Sequence, residues 1–155
     1  HEGGLPPGVL NLLVGNSAVG DAVVNHADID AITFTGSTGV GRRIAAAAAA
    51  RGIPVQAEMG GKNAAVVLDD ADFDLAIDQV MLGAFRSTGQ KCTATSRLVL
   101  TDGIADRFLT ALTARADALT VGDPSVDSTE MGPVVSGSAQ GSIVDGRRNG
   151  TCPGI

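Results

Sequence analysis

The stretch AITFTGSTGVGRRIAAAAAARGIPVQAEM, residues 31–59, reads as strand, glycine turn, helix, glycine stop and strand. AITFT (31–35) is rich in β-branched residues, as half-buried strands are. GSTGVG (36–41) breaks it, and an alanine-rich helix runs to about Arg51, with Gly52 placed as a C-terminal cap. IPVQAEM (53–59) is again a strand. The alternation continues outward. VLNLLV (9–14), behind a Pro-Pro-Gly turn, reads as a buried strand, and residues 18–26 as a short helix. AAVVL (64–68) is a strand. DDADFDLAIDQVMLGAF (69–85) is a helix that Asp72 can cap, with Phe73, Ile77, Val80, Met81 and Ala84 at helical spacing. A polar loop carries Cys92, the strand RLVL (97–100) follows, and a second amphipathic helix aligns Ile104, Phe108, Ala111, Leu112 and Leu119. Strands alternating with helices predict an α/β fold with a largely parallel sheet. From Ser136 the sequence SGSAQGSIVDGRRNGTCPGI loses apolar periodicity, so residues 136–155 are expected to form an irregular tail of non-native character, with Cys152 an incidental thiol.

The composition narrows the function classes. At 155 residues, 44% of them hydrophobic, the chain has enough apolar side chains for a core. That core must be aliphatic, because four Phe are the only aromatic residues. A net charge of −6, with no basic cluster longer than Arg42-Arg43 or Arg147-Arg148, argues against a nucleic-acid partner. No apolar run approaches the length of a membrane span, and no signal peptide opens the chain, which starts at His1. Two cysteines 60 positions apart make no disulfide framework, which points to a reducing cytoplasm. His1 and His26 with two distant thiols give no metal-ligand spacing, so no metal is expected.

Three stretches could carry chemistry. FTGSTGVG joins a strand to a helix through Gly36, Gly39 and Gly41, where free backbone N–H groups and the positive helix end suit a phosphate. The glycine order matches neither the dinucleotide fingerprint nor a Walker loop, so taken alone the stretch reads more readily as a plain tight turn than as a phosphate site. QAEMGGKN sets Glu58 at a strand end before Gly60-Gly61; the group is either an exposed carboxylate or a general base. FRSTGQKCTATSR (85–97) puts Cys92 beside Lys91 in a loop, where it is either a buried structural thiol or a nucleophile.

In combination these stretches resemble the aldehyde dehydrogenase superfamily. AEMGGKNA (57–64) is similar to the family's glutamate motif and FRSTGQKCTATS (85–96) to its cysteine motif, and Glu58 and Cys92 stand 34 positions apart, as they usually do there. FTGST followed by Gly41 is similar to the family's cofactor-phosphate turn, and MGPVVS (131–136) to a further family segment. The resemblance covers residues 1–136. It implies part of a Rossmann-like cofactor domain (1–58) joined to part of an α/β catalytic domain (59–135). It further implies Cys92 as the nucleophile, with its N–H as an oxyanion donor, and Glu58 as the base that activates water. Gly36, Ser37 and Gly41 would meet the pyrophosphate of NAD or NADP, and Met59 and Gly60 would lie beside the nicotinamide through their backbone.

The implied activity is oxidation of an aldehyde to a carboxylic acid through a cysteine thioester. STGQKCTATSR with EMGGKN and VGDP looks most like the branch acting on semialdehydes such as 2,5-dioxopentanoate. Two positions depart from the family pattern: Ser87 stands where many members have Asn, and Ala64 where many have Pro. Members run to several hundred residues, so the chain is expected to be a middle fragment, inactive and marginally stable alone, of a parent that forms a dimer or tetramer. Alternatives are a non-catalytic folded fragment and an acylating enzyme passing the thioester to coenzyme A, against which the presence of Glu58 argues. A thiol hydrolase would need a base beside the thiol, and only His1 and His26 are on offer.

Overall fold

The computed structural model describes residues 3–148. In chain order these form α1 (Ser17–Asn25), β1 (Ile32–Gly36), α2 (Thr38–Arg51), β2 (Val55–Met59), β3 (Asn63–Val67), α3 (Phe73–Phe85), a one-turn 3-10 segment (Arg86–Gly89), β4 (Thr95–Leu100), α4 (Asp102–Asp117) and α5 (Gly137–Arg148). The chain divides into two compact units between Glu58 and Met59.

In the first unit β1 pairs with β2, and α2 connects them. Local chemistry sets the limits of α2. The Ser37 Oγ accepts the Val40 N–H at 3.4 Å, and Gly52 stops the helix with φ 68°, giving its N–H to the Ala48 and Ala49 carbonyls. A left-handed stop of this kind suits glycine, which lacks the Cβ that would crowd the following carbonyl. Alanines pack close but cover little area, and within α2 only Gly41 and Ala48 are buried. The unit is drawn together by a polar clasp. The Arg51 guanidinium donates to the carbonyls of Val24 and Ile29, both at 2.7 Å, and of Ala27 at 3.3 Å, tying the end of α2 to the segment between α1 and β1.

The second unit has an apolar core. Val67 from β3, Ile77, Val80 and Met81 from α3, and Ile104 and Phe108 from α4 form one buried cluster. Phe108 is fully buried and meets the Phe73 ring edge-on, with centroids 5.7 Å apart, while Arg107 covers Phe73 at 3.8 Å. These are the faces that helical spacing indicated. The Asp72 carboxylate caps α3 by accepting the Leu75 N–H at 3.1 Å. β3 and β4 run parallel from Ala64↔Arg97 to Val67↔Leu100, and an irregularity between Asn63 and Ala64 shifts the register at the start. In the loop after α4 the Asp123 carboxylate accepts the Ser125 N–H and Oγ, which hold its pKa below the usual carboxylate value.

Three expectations differ from the structure. VLNLLV forms no strand: residues 9–14 have no ladder, and Leu10 and Leu12 are 79% and 87% exposed. A strand needs a partner for its backbone groups, and among the described residues none pairs with this segment. The expected single sheet is two separate two-stranded sheets, β1-β2 and β3-β4. The irregular stretch expected from Ser136 contains α5. Ser136 starts it by accepting the Ala139 N–H on its Oγ at 3.2 Å and the Gln140 N–H on its carbonyl at 3.0 Å. A helix needs only such local bonds, so the lack of apolar periodicity did not preclude it. Residues 149–155, with Cys152, lie outside the described residues.

Candidate active site

The candidate phosphate residues meet at the N-terminus of α2. Gly36 ends β1, Ser37 is the N-cap, and Gly41 is buried in the first helical turn, its N–H bonded to the Ser37 carbonyl at 2.9 Å. Gly36 lets the Phe34 ring lie close over the turn. A Cβ on it would come within 2.5 Å of the Phe34 ring. Gly39 faces open space, with nothing within 4 Å of where its Cβ would be. A pyrophosphate therefore has a 14-residue helix to cap and an unobstructed backbone to approach, which fits a dinucleotide. Beside the turn lies a cleft of about 730 Å³, lined among others by Leu13, Asn16, Val23, Phe34, Val40 and Arg43. None of the five candidate cofactor residues lines it. Sequence reading missed this cleft, because its walls mix apolar and polar positions from the segment before α1, from α1, β1 and α2, and carry no shared motif.

Glu58 is exposed on β2 and is the last residue of the first unit; Met59, 38% exposed, opens the second, and Gly60 follows. Among the described residues no group of His, Cys, Asp and Glu could hold a metal ion, and no helix is long and apolar enough to cross a membrane.

Cys92 belongs to the second unit. Its thiol is free and exposed, so the reading of it as a buried structural thiol does not hold. The turn that carries it is closed by the Ala94 N–H on the Lys91 carbonyl at 3.0 Å. Asn63, the first residue of β3, clamps the same turn: its Nδ2 donates to the Cys92 carbonyl at 2.7 Å and to the Ala94 carbonyl at 3.1 Å. In return Ser96 Oγ donates to the Asn63 carbonyl at 3.4 Å. The approach to the turn is a left-handed stretch with φ of 55°, 58° and 67° at Ser87, Thr88 and Gly89. Such backbone is unfavourable for Ser and Thr and persists only when its surroundings over-determine it. Here the surroundings are residues 132–135. Thr88 Oγ1 donates to the Gly132 carbonyl at 3.1 Å, and the Gln90 side chain accepts the Val135 N–H at 3.1 Å. MGPVVS thus acquires a role as a brace for the segment leading to Cys92. The one sign of Asn63 in the sequence was its place at the end of EMGGKN. Its contact with Cys92 spans 29 positions.

Comparison with known proteins gives a consistent assignment. The profile of the Aldehyde dehydrogenase family matches residues 1–150. The chain is 51% identical over 137 residues to an α-ketoglutaric semialdehyde dehydrogenase of Bacillus subtilis, covering 88% of this chain and 28% of that protein. It is 44% identical over 144 residues to a betaine aldehyde dehydrogenase of Rhizobium etli, covering 93% and 30%. The structure overlays that of a betaine aldehyde dehydrogenase from Staphylococcus aureus in complex with NAD+ with a TM-score of 0.91 at 37% identity, covering 95% of this chain and 29% of that one. The chain therefore spans under a third of the length of these relatives. With the family profile matching residues 1–150 of 155, the chain belongs to the aldehyde dehydrogenase family.

Proposed function

We propose that the chain carries the thiol and the base of an NAD(P)-dependent oxidation of an aldehyde to a carboxylic acid. The observation that carries this reading is the free, exposed thiol of Cys92 on a turn held from both sides, in a chain of this family. The Cys92 thiolate adds to the aldehyde carbon, and the C=O pair moves onto oxygen, where the Cys92 N–H is one donor to the resulting oxyanion. A nicotinamide bound at the site would supply the hydride acceptor needed to convert this adduct into a thioester. Glu58 then takes a proton from water as the water attacks the thioester carbon, releasing the acid and restoring the thiol.

For the cofactor, the turn of Gly36, Ser37 and Gly41 would receive the pyrophosphate, and Met59 and Gly60 would line the nicotinamide through their backbone. Val40 lines the cleft from the first turn of α2, so a base could rest on apolar surface next to the phosphate turn. The substrate class is a semialdehyde. The 51% identity to the α-ketoglutaric semialdehyde enzyme, against 44% to a betaine aldehyde enzyme, supports it. Glu58 favours hydrolysis over transfer to coenzyme A. The setting is the cytoplasm, and the working form is a homo-oligomer.

The test is cofactor reduction by the polypeptide in which these residues are translated, with semialdehydes and betaine aldehyde as substrates. Cys92→Ala should abolish turnover, and undiminished turnover would refute the assignment. Glu58→Gln should leave a burst of reduced cofactor followed by a slow steady state. Equal loss of both phases would give Glu58 a binding or structural role instead.

A further inference from the structure

We infer that Asn63 is a positioning residue for carbonyl addition at Cys92: it fixes the Cys92–Thr93 peptide directly and, through the Ala94 carbonyl, holds the turn whose Ala94–Lys91 bond directs the Cys92 N–H. The inference rests on the thiol chemistry proposed above and adds a residue to it. A trans peptide is planar, with its C=O and N–H pointing in opposite directions, so fixing one fixes the other. The Lys91 carbonyl is held inside the turn by the Ala94 N–H at 3.0 Å, which turns the Cys92 N–H outward. The Cys92 carbonyl is held by Asn63 Nδ2 at 2.7 Å, which directs the Thr93 N–H away from Asn63. The second proton of the same amide group holds the Ala94 carbonyl at 3.1 Å, so both donors of Asn63 are used on one turn. Among the described residues neither the Cys92 nor the Thr93 N–H is bonded to an acceptor.

With both flanking peptide planes pinned, the backbone dihedrals of Cys92 are set, and the place of Sγ depends on χ1 alone. The sheet gives the clamp its site. Asn63 pairs with Thr95 but Ala64 with Arg97, so the ladder skips Ser96 at this point. The carbonyls just before β4 lie beyond the regular ladder, and Asn63 satisfies two of them. Oxyanion donors act by being aimed before charge develops. The Ala94 N–H on the Lys91 carbonyl aims this one, and Asn63 holds the turn that carries that bond through the Cys92 and Ala94 carbonyls.

Addition to a carbonyl needs an aimed donor, whereas displacement of iodide at a saturated carbon develops no oxyanion. Two probes therefore separate positioning from general loosening at one sulfur. With p-nitrophenyl acetate, the thiolate bonds to the acyl carbon, the tetrahedral oxyanion collapses, and p-nitrophenolate leaves an S-acetyl thioester. With iodoacetamide, the thiolate displaces iodide. Both are followed on the full chain carrying Cys152→Ser, with Asn63→Ala and Asn63→Asp as variants; Asp keeps the shape of Asn but turns oxygen toward the two carbonyls. Far-ultraviolet circular dichroism identifies any variant that fails to fold, and the other then carries the test. Asn63→Ala should slow nitrophenolate release about tenfold or more while changing alkylation by no more than about twofold, with Asn63→Asp lower still in acylation. Equal rates in variant and parent, or equal losses in both reactions, would overturn the role of Asn63. A burst that survives Cys92→Ala would overturn the nucleophile assignment itself, whatever Asn63 does.

Discussion

The two units reach compactness by different means. Residues 59–148 enclose six apolar side chains between β3, α3 and α4, with Phe108 at the centre. Among the described residues the unit before Met59 has one buried hydrophobic residue, Ala48, and leaves Leu10, Leu12, Leu13 and Val14 largely exposed. Both contain helices and a strand pair, and both were drawn from the same alternating pattern. The difference lies in the side chains available. α3 and α4 carry Ile, Val, Met and Phe on one face, whereas α2 carries alanine, which removes little surface from water. What closes the first unit is hydrogen bonding to a charge. Arg51 gathers three carbonyls that would otherwise be unpaired at the end of α1 and in the loop after it. A large core resists local opening, while a clasp of three bonds is lost with a single residue.

Substitution tests this contrast directly, and Phe108→Ala should have the largest effect. Deleting a fully buried ring that meets Phe73 should cost about 4 kcal/mol, read as a shift in urea unfolding followed in the second unit. Hydrogen exchange in α2 should be unchanged; acceleration there would mean that the units unfold as one. Arg51→Ala comes next, at about 2 kcal/mol, since bonds from a charged donor are worth more than neutral ones. Its effect should appear as faster exchange in α1 and the segment up to β1, with α3 and α4 untouched. Protection unchanged in α1 would show that the apolar contacts of the first unit suffice without the clasp. The smallest effect is a gain. Ser87 sits at φ 55°, where Asn is tolerated better than Ser, so Ser87→Asn should stabilise the second unit by roughly 0.5 kcal/mol. A loss of stability would mean that the serine hydroxyl matters more than the backbone.

The helices were legible because their signals are local. Asp72 caps α3, Gly52 stops α2, and the buried faces of α3 and α4 follow from residue spacing. The candidate site residues stood out in the sequence only as a set. Glu58, Cys92 and the turn from Gly36 to Gly41 were each ambiguous alone, and order and separation made them a family pattern. VLNLLV was misread for a physical reason. Its side chains suit a strand, but strand formation depends on a neighbour that the run itself does not encode. α5 was missed in the opposite sense, because Ser136 can begin a helix with no apolar face to reveal it.

The sequence by itself determined the α/β alternation, the helix limits and the family, since capping, spacing and motif order are properties of adjacent residues. Tertiary structure alone decided which strands pair, that the second unit holds the apolar core, and that Asn63 and residues 132–135 brace the Cys92 segment. Those contacts join positions 29 to 45 residues apart, and no local preference specifies them. They depend on where folding brings unpaired carbonyls and amides within reach of a partner.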